Sequence, residues 1–402
     1  MKLVPSVLQL EGEMTAWRRH LHANPELGFE EFETARFVAE KLRSWGIETV
    51  EGVGRTGVVG TLTGRLGPGE SIGIRADMDA LPMTEARDLP HASKILGKMH
   101  GCGHDGHTAM LLGAARTLAH SPDFAGTVHF IFQPAEEGQG GAMAMLDDGL
   151  LERFPCDEVY ALHNSERQLG EVVVHHTVVA AAADRFEIVV RGRGGHAAMP
   201  HLANDPLPIA ARILLDIEAL PGRLTNVHSP AIVTVGSFKG GEAFNTIPDV
   251  AVLTGTVRTF NPEVQSTIET AIKRIATAAA EGRGASVDIT YERPFAPTIN
   301  TPKQADIMVD VATEVMGLER VTIDPPPEMG SEDFCYMLQQ RPGCYFMLGQ
   351  SDDEHQAACH DTLYDFNDAI LPMGASLWVR LVERRLAPQE LAPRELAPRE
   401  TE

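Results

Sequence analysis

One sequence pattern constrains the fold of this 402-residue chain most strongly: strand-like segments alternate with helical segments, and polar side chains follow each strand. A helical pattern beginning at Asp105 separates the first two strands, and this β/α alternation predicts a largely parallel sheet covered by helices. Because open α/β sheets place their sites at the carboxyl ends of strands, the polar residues are expected to converge on one sheet edge. The predicted strands are Ser71–Asp79, Thr127–Pro134, Glu158–His163 and Gly343–Gln350, and the polar residues at or beyond their ends are Asp77, Asp79, Glu136, Glu137, His163 and His360.

A second unit interrupts this pattern between about Asp184 and Arg293. Its predicted strands are Arg185–Val190, Ala231–Phe238, Val250–Phe260 and Ala285–Tyr291, and its predicted helices are Asp205–Leu220 and Pro262–Glu281. This β-α-β-β-α-β order is the split βαβ pattern of a ferredoxin-like domain. The sequence therefore predicts a main domain in two parts, 1–183 and 294–385, around an inserted domain at 184–293.

Two terminal segments have simpler patterns. Residues Glu13–Gly46 show helical periodicity that ends at a glycine, which is a common helix stop. Residues 386–402 read LAPQE-LAPRE-LAPRE-TE, a repeat that cannot bury a core, and they are predicted to form a disordered tail.

The composition is that of a soluble globular protein, with 43% hydrophobic and 22% charged residues. The net charge of −22 argues against binding to nucleic acid or to an anionic membrane surface. No segment approaches the roughly 18 apolar residues of a membrane span, and the first residues lack a signal-peptide pattern. Because the five cysteines are odd in number and scattered, a reducing, cytoplasmic location is expected.

A glycine-rich segment at Gly97–His107, with the sequence GKMHGCGHDGH, contains Cys102 and His104 just before a predicted helix. Taken alone, such a pair is often structural. Glu137, His163 and His360 supply further metal-ligating side chains at the predicted sheet edge. This set of sulfur, imidazole and carboxylate groups predicts a transition-metal site.

Glu136 and Glu137 come directly after the apolar strand TVHFIFQ. Neighbouring residues on an extended segment point to opposite sides, so one glutamate can bind metal while the other moves protons. The alternative, two solvated loop acids, is weakened by the apolar strand that leads into them.

For two further histidines, the sequence is consistent with a structural role and with a functional role. His196 ends a glycine-rich turn in the inserted domain, where a packed turn residue and a catalytic residue are equally consistent with the sequence. His107 lies three residues beyond His104 and is expected to support a ligand or simply to pack.

Together these motifs resemble the metal-dependent amidohydrolases of the aminoacylase/carboxypeptidase peptidase superfamily, in the branch of hippurate hydrolases and auxin-amino-acid conjugate hydrolases. The resemblance extends from about Trp17 to Glu383. It implies an α/β fold of the zinc-exopeptidase type with an inserted lid and dimerisation domain. The motifs are RRHLHANPELGFEE, GIRADMDALPM, GKMHGCGHDGHTAMLLGAA, FQPAEEG, YALHN, GRGGHAAMPH, FNTIPD, GSEDF and CHDTLYDFND.

The resemblance implies a role for each matching residue in the main domain. Glu136 matches the general base, and Asp79 matches an acid that orients a metal ligand. The ligands of a pair of divalent metal ions, expected to be zinc, manganese or nickel, match Cys102, His104, Glu137, His163 and His360.

In the lid, His196 matches a histidine that contacts the substrate carbonyl and that often comes from the partner subunit. Asn245 and Arg258 lie where the family holds the substrate carboxylate. A homodimer through the lid is therefore expected, and a larger oligomer stays open. The chain departs from the family pattern after Asn164, where SERQLG replaces a loop that usually contains proline and aromatic residues.

The sequence thus predicts a metal-dependent amide hydrolase. It would release a carboxylic acid and an amino acid from N-acyl amino acids of the hippurate type, through a metal-activated water with Glu136 as general base. A dipeptidase or carboxypeptidase on the same fold is the nearest alternative. A non-catalytic binding protein and an enzyme that uses Cys102 as nucleophile are further alternatives.

Overall fold

The protein is described here by a computed structural model over residues 1–226 and 229–388. Its α-helices are α1 (Pro5–Leu8), α2 (Glu11–Ala23), α3 (Phe32–Ser44), α4 (His104–His120), α5 (Gly141–Asp147), α6 (Leu150–Arg153), α7 (Pro206–Glu218), α8 (Pro221–Leu224), α9 (Pro262–Glu281), α10 (Pro302–Met316), α11 (Cys335–Gln340) and α12 (Leu371–Arg385). Its strands are β1 (Glu48–Val53), β2 (Gly57–Thr63), β3 (Ser71–Asp77), β4 (Thr127–Gln133), β5 (Glu158–Gln168), β6 (Val172–Val174), β7 (Val178–Ala180), β8 (Ala182–Arg191), β9 (Gly195–His196), β10 (Ala231–Gly240), β11 (Thr246–Ile247), β12 (Val250–Thr259), β13 (Ser286–Phe295), β14 (Thr298–Ile299), β15 (Val321–Ile323) and β16 (Gly343–Ser351).

An eight-stranded sheet has the order β1-β2-β4-β3-β5-β16-β6-β15. Its four central strands, β4, β3, β5 and β16, run parallel, whereas β1, β2 and β6 pair with their inner neighbours in antiparallel fashion. Asp77 at the end of β3 pairs with Gln133 at the end of β4, and Met347 of β16 pairs with His163 of β5. The carboxyl ends of the central strands therefore meet along one edge, and the predicted α/β fold class is confirmed.

Alternate residues of β4 enter two hydrophobic cores on opposite faces of this sheet. Phe130 and Phe132 pack with Leu111 of α4 in one core, and Ile131 packs with Met145 of α5 in the other. Successive side chains of a strand point to opposite faces, and helices cover both faces of a parallel sheet. Because both faces of β4 are buried, its sequence is almost continuously apolar.

A smaller antiparallel sheet, of order β10-β12-β8-β13, is built from the second unit of the chain. Residues of α7 and α9, including Ile213 and Ile272, pack with Ile188 of β8 in a third core. The element order along the chain is the predicted β-α-β-β-α-β. Asp205 caps α7 by accepting a hydrogen bond from the Leu207 N–H, 2.9 Å away, and Pro206 occupies the first turn.

Two local predictions need correction. The single helical region at Glu13–Gly46 is two helices, α2 and α3, because Pro25 disfavours helical backbone at Asn24. Strand β5 continues five residues beyond His163, so this histidine lies within the strand rather than at its end.

The predicted tail at 386–402 lies outside the described residues from position 389 onward. Leu386, at its start, is buried, and its carbonyl accepts a hydrogen bond from the Ala125 N–H. Among the described residues, no helix combines the length and the apolar character that crossing a membrane requires.

Candidate metal centre and active site

The turn Cys102–Gly103–His104 brings two predicted ligands to the edge of the large sheet. Helix α4 begins at His104, and Gly103 before it has φ +99°, a left-handed conformation that glycine adopts readily. A Cβ on Gly103 would lie 2.1 Å from the Asn164 Oδ1 atom, so no larger residue fits. The close approach of this turn to β5 therefore requires glycine.

His104 is oriented by Asp79. Its Nδ1 atom lies 3.2 Å from the Asp79 Oδ1 atom, whereas its buried Nε2 atom has no hydrogen-bond partner among the described residues. Burial lowers the pKa of His104, but the carboxylates of Asp77 and Asp79 outweigh it and raise the pKa well above the usual value. Because Nδ1–H donates to Asp79, Nε2 is the ring nitrogen that a metal ion can bind when it displaces the Nε2 proton.

Cys102 and His163 meet beside His104. The Cys102 Sγ atom lies 3.4 Å from the His163 Nε2 atom, and the His163 Nδ1 atom lies 2.6 Å from the Asn164 carbonyl oxygen. Burial lowers the pKa of His163 to about 3, so this imidazole is neutral at physiological pH. A neutral imidazole with a free ring nitrogen is the form that binds a metal ion.

Glu137 and His360 form the opposite side of the centre. The His360 Nε2 atom lies 3.2 Å from the Glu137 Oε1 atom. The loop after β16 holds His360 at φ +69°, and its backbone N–H donates to the Gly101 carbonyl, 2.7 Å away. This bond ties the His360 loop to the segment that carries Cys102.

The donor atoms of these five residues fit divalent metal ions. Potential ligand atoms of Cys102, His104 and His163 lie within 4.8 Å of one another, and so do those of Cys102, Glu137 and His360. The two groups share one sulfur atom. Thiolate and imidazole suit zinc-like ions, and the unpartnered Nε2 atom of His104 is a buried acceptor that a cation would satisfy.

Glu136 is also near this centre but has a different environment from Glu137. It is 6% exposed and lies in a group of carboxylates with Glu332 and Asp333. Burial, followed by repulsion from Glu332 and Glu137, raises its pKa well above the usual value. The two glutamates lie in a turn rather than on an extended segment, so their separate environments arise from this turn.

Arg75 balances the carboxylates behind Glu136. Its buried guanidinium donates to Asp77 at 2.7 Å, to Glu332 at 2.9 Å and to Asp333 at 3.2 Å. Sequence reasoning assigned no role to Arg75, Glu332 or Asp333, although they lie in the motifs GIRADMD and GSEDF. An arginine inside an otherwise apolar strand was the available signal, because such a charge is rarely buried without carboxylate partners.

His107 supports the centre rather than facing it. Its Nδ1 atom lies 2.6 Å from the Asp77 Oδ1 atom, and its Nε2 atom lies 2.7 Å from the Asn164 Oδ1 atom. Both ring nitrogens are thus engaged by neighbouring side chains, so His107 has no free lone pair aimed at a metal.

A cleft of about 560 Å³ opens in front of these side chains. Arg258 lines it from the smaller sheet, where it pairs with Ala183 of β8. Its guanidinium contacts only the Thr256 hydroxyl and the Val257 carbonyl among the described residues. A guanidinium with no carboxylate partner among the described residues therefore faces the cleft. Other residues that line the cleft include Cys102, Glu136, Glu137, His163, Glu166, Phe295, Glu328, Tyr345, Met347 and His360.

His196 and Asn245 lie at the other end of the smaller sheet. Strand β9 carries His196 and pairs with β11, and the Ala197 N–H donates to the Asn245 carbonyl. Arg258 is eight residues along β12 from Val250, which corresponds to about 26 Å. Neither His196 nor Asn245 is among the described residues that line the cleft, so the three predicted lid residues do not meet within one chain.

The segment after Asn164, where the sequence departs from the expected family pattern, contributes Ser165 and Glu166 to the wall of the cleft. Strand β5 continues through Ser165 and Glu166 to Gln168. The Glu166 Oε1 atom accepts a hydrogen bond from the Cys359 N–H, 3.0 Å away. This carboxylate thus anchors the loop that holds His360.

Curated proteins similar to this chain include several amide hydrolases. The chain is 38% identical over 390 residues to hippurate hydrolase of Campylobacter jejuni, covering 96% of this chain and 100% of the relative. It is 40% identical over 373 residues to IAA-amino acid hydrolase ILR1-like 2 of Arabidopsis thaliana, covering 90% and 83%. It is also 35% identical over 382 residues to thermostable carboxypeptidase 2 of Saccharolobus solfataricus, covering 93% and 95%.

Solved structures with this fold include an aminohydrolase described as putative from methicillin-resistant Staphylococcus aureus, with a TM-score of 0.89, 32% identity and coverage of 96% and 99%. The YXEP protein of Bacillus subtilis, described as a dinuclear metal-binding peptidase from the M20 family, has a TM-score of 0.81, 30% identity and coverage of 94% and 99%.

The family model "Peptidase family M20/M25/M40" matches residues 73–384, most of the chain. The similarity to hippurate hydrolase and to the IAA-amino acid hydrolases confirms the branch predicted from the motifs. The protein therefore belongs to peptidase family M20/M25/M40 and is an enzyme that hydrolyses amide bonds.

Proposed function

We propose that this enzyme hydrolyses N-acyl amino acids of the hippurate type, using Glu136 as general base and a pair of divalent metal ions held by Cys102, His104, Glu137, His163 and His360. The observation that carries the proposal is the buried position of Glu136 directly beside the ligand groups. A protein that only bound its ligand would not need a base at this position.

The chain's own residues supply proton transfer and orientation. When bound, the metal ions would polarise the scissile carbonyl and acidify the attacking water. Glu136 takes a proton from that water and later returns it to the leaving amine, a role that its raised pKa favours. Asp79 accepts from Nδ1–H of His104 and so leaves Nε2 as the ring nitrogen that would face the metal.

Arg258 is the residue best placed to bind the substrate carboxylate. It is the cation in the cleft with no carboxylate partner among the described residues. A guanidinium can pair with a carboxylate through two parallel hydrogen bonds. Phe295, Tyr345 and Met347 also line the cleft and would pack against an acyl group.

We propose further that the active enzyme is a homodimer through the smaller sheet, with His196 and Asn245 acting on the partner's cleft. Both residues are exposed and remote from the cleft of their own chain. Phe244 beside them is 100% exposed, and Met199 and Leu202 are 47% and 59% exposed. Large apolar side chains grouped in this way are typical of a surface that a partner covers.

A nucleophilic role for Cys102 is less consistent with the structure. The Cys359 thiol, burial and the nearby carboxylates of Glu137 and Glu136 all raise the pKa of Cys102 well above its usual value. A nucleophilic cysteine needs the thiolate form. Binding to a cation removes this obstacle, so the ligand role accounts for the position of the sulfur.

A dipeptidase or carboxypeptidase activity is the second candidate, because a curated relative is a carboxypeptidase and because Glu166 and Glu328 line the cleft. Their carboxylates could pair with the free amine of a dipeptide.

The proposed metals are zinc, manganese or nickel, and the proposed location is the cytoplasm. The five cysteines, all described, are unpaired, which suits a reducing compartment.

The test is hydrolysis of hippurate and a panel of N-acyl amino acids against matched dipeptides, before chelation, after chelation and after metal add-back. We expect activity on the acyl amino acids that disappears with the metal and returns with it. Turnover of dipeptides alone would favour the second candidate. Inactivity towards both sets, with full metal content, would contradict both.

A further inference from the structure

The turn that carries Glu136 contains an unfavourable backbone conformation at Ala135, whose φ is +51°. For a residue with a Cβ atom, left-handed backbone is sterically unfavourable. Such a conformation persists only where surrounding contacts impose it. The contacts of Ala135 therefore decide where Glu136, the next residue, points.

Glu31 makes the side-chain hydrogen bond that holds Ala135, whose carbonyl also accepts from the Gly141 N–H at 3.0 Å. Its Oε1 atom accepts a hydrogen bond from the Ala135 N–H, 2.8 Å away, and its Oε2 atom accepts one from the Thr56 hydroxyl, 2.6 Å away. The Glu31 side chain and Thr56 are both buried. Gly28, three residues earlier, packs so closely that an added Cβ would lie 3.0 Å from the Ala135 Cα atom.

The other end of the turn is held by Asp79, whose Oδ2 atom accepts from the Glu137 N–H at 3.0 Å. Two buried carboxylates thus anchor the backbone on either side of Glu136. Glu31 itself neither lines the cleft nor belongs to a candidate metal-ligand group of the described residues. Glu31 lies in the sequence GFEE, which contributes no residue to the proposed ligands or to the general base.

We propose that Glu31 is a positioning residue that aims Glu136 by fixing the left-handed turn at Ala135. This inference rests on the proposed function, because it assumes that Glu136 acts on the reacting water. The carboxylate and the protonated acid can both accept from the Ala135 N–H. Burial, opposed by these hydrogen bonds, raises the pKa of Glu31 to about 7, so both forms are present near neutral pH.

The first test compares Glu31→Ala with Glu31→Gln. Loss of both hydrogen bonds in Glu31→Ala is expected to lower kcat by about 10- to 100-fold with little change in KM or metal content, since a small displacement of a catalytic group has an effect of this size. In Glu31→Gln the amide oxygen can still accept from Ala135, and its NH₂ group can donate to Thr56. This variant is expected to recover most of kcat.

Glu26→Ala is the matched control. Glu26 lies in the same segment, is half-buried, and accepts from the backbone N–H of Thr34 at 2.8 Å, but it does not contact the Glu136 turn. The Glu26→Ala variant should be less stable than the wild type without a comparable loss of kcat. If Glu31→Ala fails to fold, the Thr56→Val variant is used in its place. It removes only the second hydrogen bond to the Glu31 carboxylate, so a smaller loss of kcat is expected.

Hydrogen–deuterium exchange of residues 133–138 provides a readout that is independent of activity. The Ala135 amide should exchange faster in Glu31→Ala than in the wild type, Glu31→Gln or Glu26→Ala. Unchanged exchange together with unchanged kcat would overturn the inference, and so would an equal loss of kcat in Glu26→Ala. If the wild type hydrolyses no substrate while exchange is still selectively faster, the proposed function fails but the anchoring role of Glu31 stands.

Discussion

The Asp79 Oδ1 atom lies 3.2 Å from the His104 Nδ1 atom, while the Oδ2 atom of the same carboxylate accepts from the Glu137 backbone at 3.0 Å. One buried side chain thus orients an imidazole from the start of α4 and also fixes the turn after β4. Contacts within the protein thus set the relative position of these two proposed metal ligands.

Glu136→Gln is expected to lower kcat by about 10²–10⁴-fold while metal content stays unchanged, because an amide cannot accept and return the proton. Steady-state kinetics and metal analysis of the same preparation check this prediction. Glu137→Gln is the matched comparison and should lose metal as well as activity. A Glu136→Gln enzyme with nearly full kcat would show that another group is the base.

Cys102→Ala is expected to reduce the number of bound metal ions, because Cys102 belongs to both candidate ligand groups. Metal analysis by mass spectrometry after extensive dialysis gives the stoichiometry. Cys156→Ala is the control, since Cys156 is buried in a hydrophobic core away from the centre. Full metal content in Cys102→Ala would remove the sulfur from the proposed ligand set.

Arg258→Ala is expected to raise KM by about 10- to 100-fold for substrates with a free carboxylate, which corresponds to the loss of a charge-assisted hydrogen bond. Substrates whose carboxylate is amidated should show little change. Arg185→Ala is the control, because Arg185 lies exposed on β8 in an ion pair with Glu292. An equal increase in KM for both substrate types would mean that Arg258 does not bind the substrate carboxylate.

His196→Ala and Glu136→Gln enzymes, each inactive alone, are expected to regain about a quarter of wild-type activity when subunits are mixed and exchanged. The Glu136→Gln chain would supply His196 to the intact cleft of its partner. Activity and mass measured by light scattering on the same mixture check this result. A monomeric wild type, or no recovery after proven exchange, would contradict the proposed dimer.

His22 is expected to make stability depend on pH. Burial alone would lower its pKa, but hydrogen bonds to Asp105 at 2.9 Å and to Glu85 at 3.4 Å raise it to about 9. Protonated His22 therefore favours the folded state below its unfolded pKa of about 6.5, and this contribution, about 3 kcal/mol, is lost as the pH rises through 9.

Urea unfolding of the wild type and of His22→Asn between pH 6 and pH 9.5 measures this effect. The free-energy difference between the two proteins should be largest at pH 6 and should shrink towards pH 9.5. His20→Asn, an exposed position on the same helix, is the control. A difference that does not vary with pH would show that the charge of His22 does not contribute to stability.

Much of the fold could be predicted from the sequence, because its signals are local. The almost continuous apolar sequence of β4, and the capping of α7 by Asp205, depend on residues a few positions apart. The helix break at Pro25 and the continuation of β5 beyond His163 were missed for opposite reasons. A proline interrupted a continuous helical pattern, whereas polar residues continued a strand that pairs with β16.

The sequence by itself determined the element order, the apolar strands and the ligand-type residues, because side-chain chemistry and periodicity are properties of neighbouring residues. Only the tertiary structure decided that Arg75 binds Glu332, 257 positions away, and that Glu31 holds Ala135, 104 positions away. It also separated Arg258 from His196 along the smaller sheet. Such contacts depend on strand register and on the packing of distant segments, and no local pattern encodes these distances.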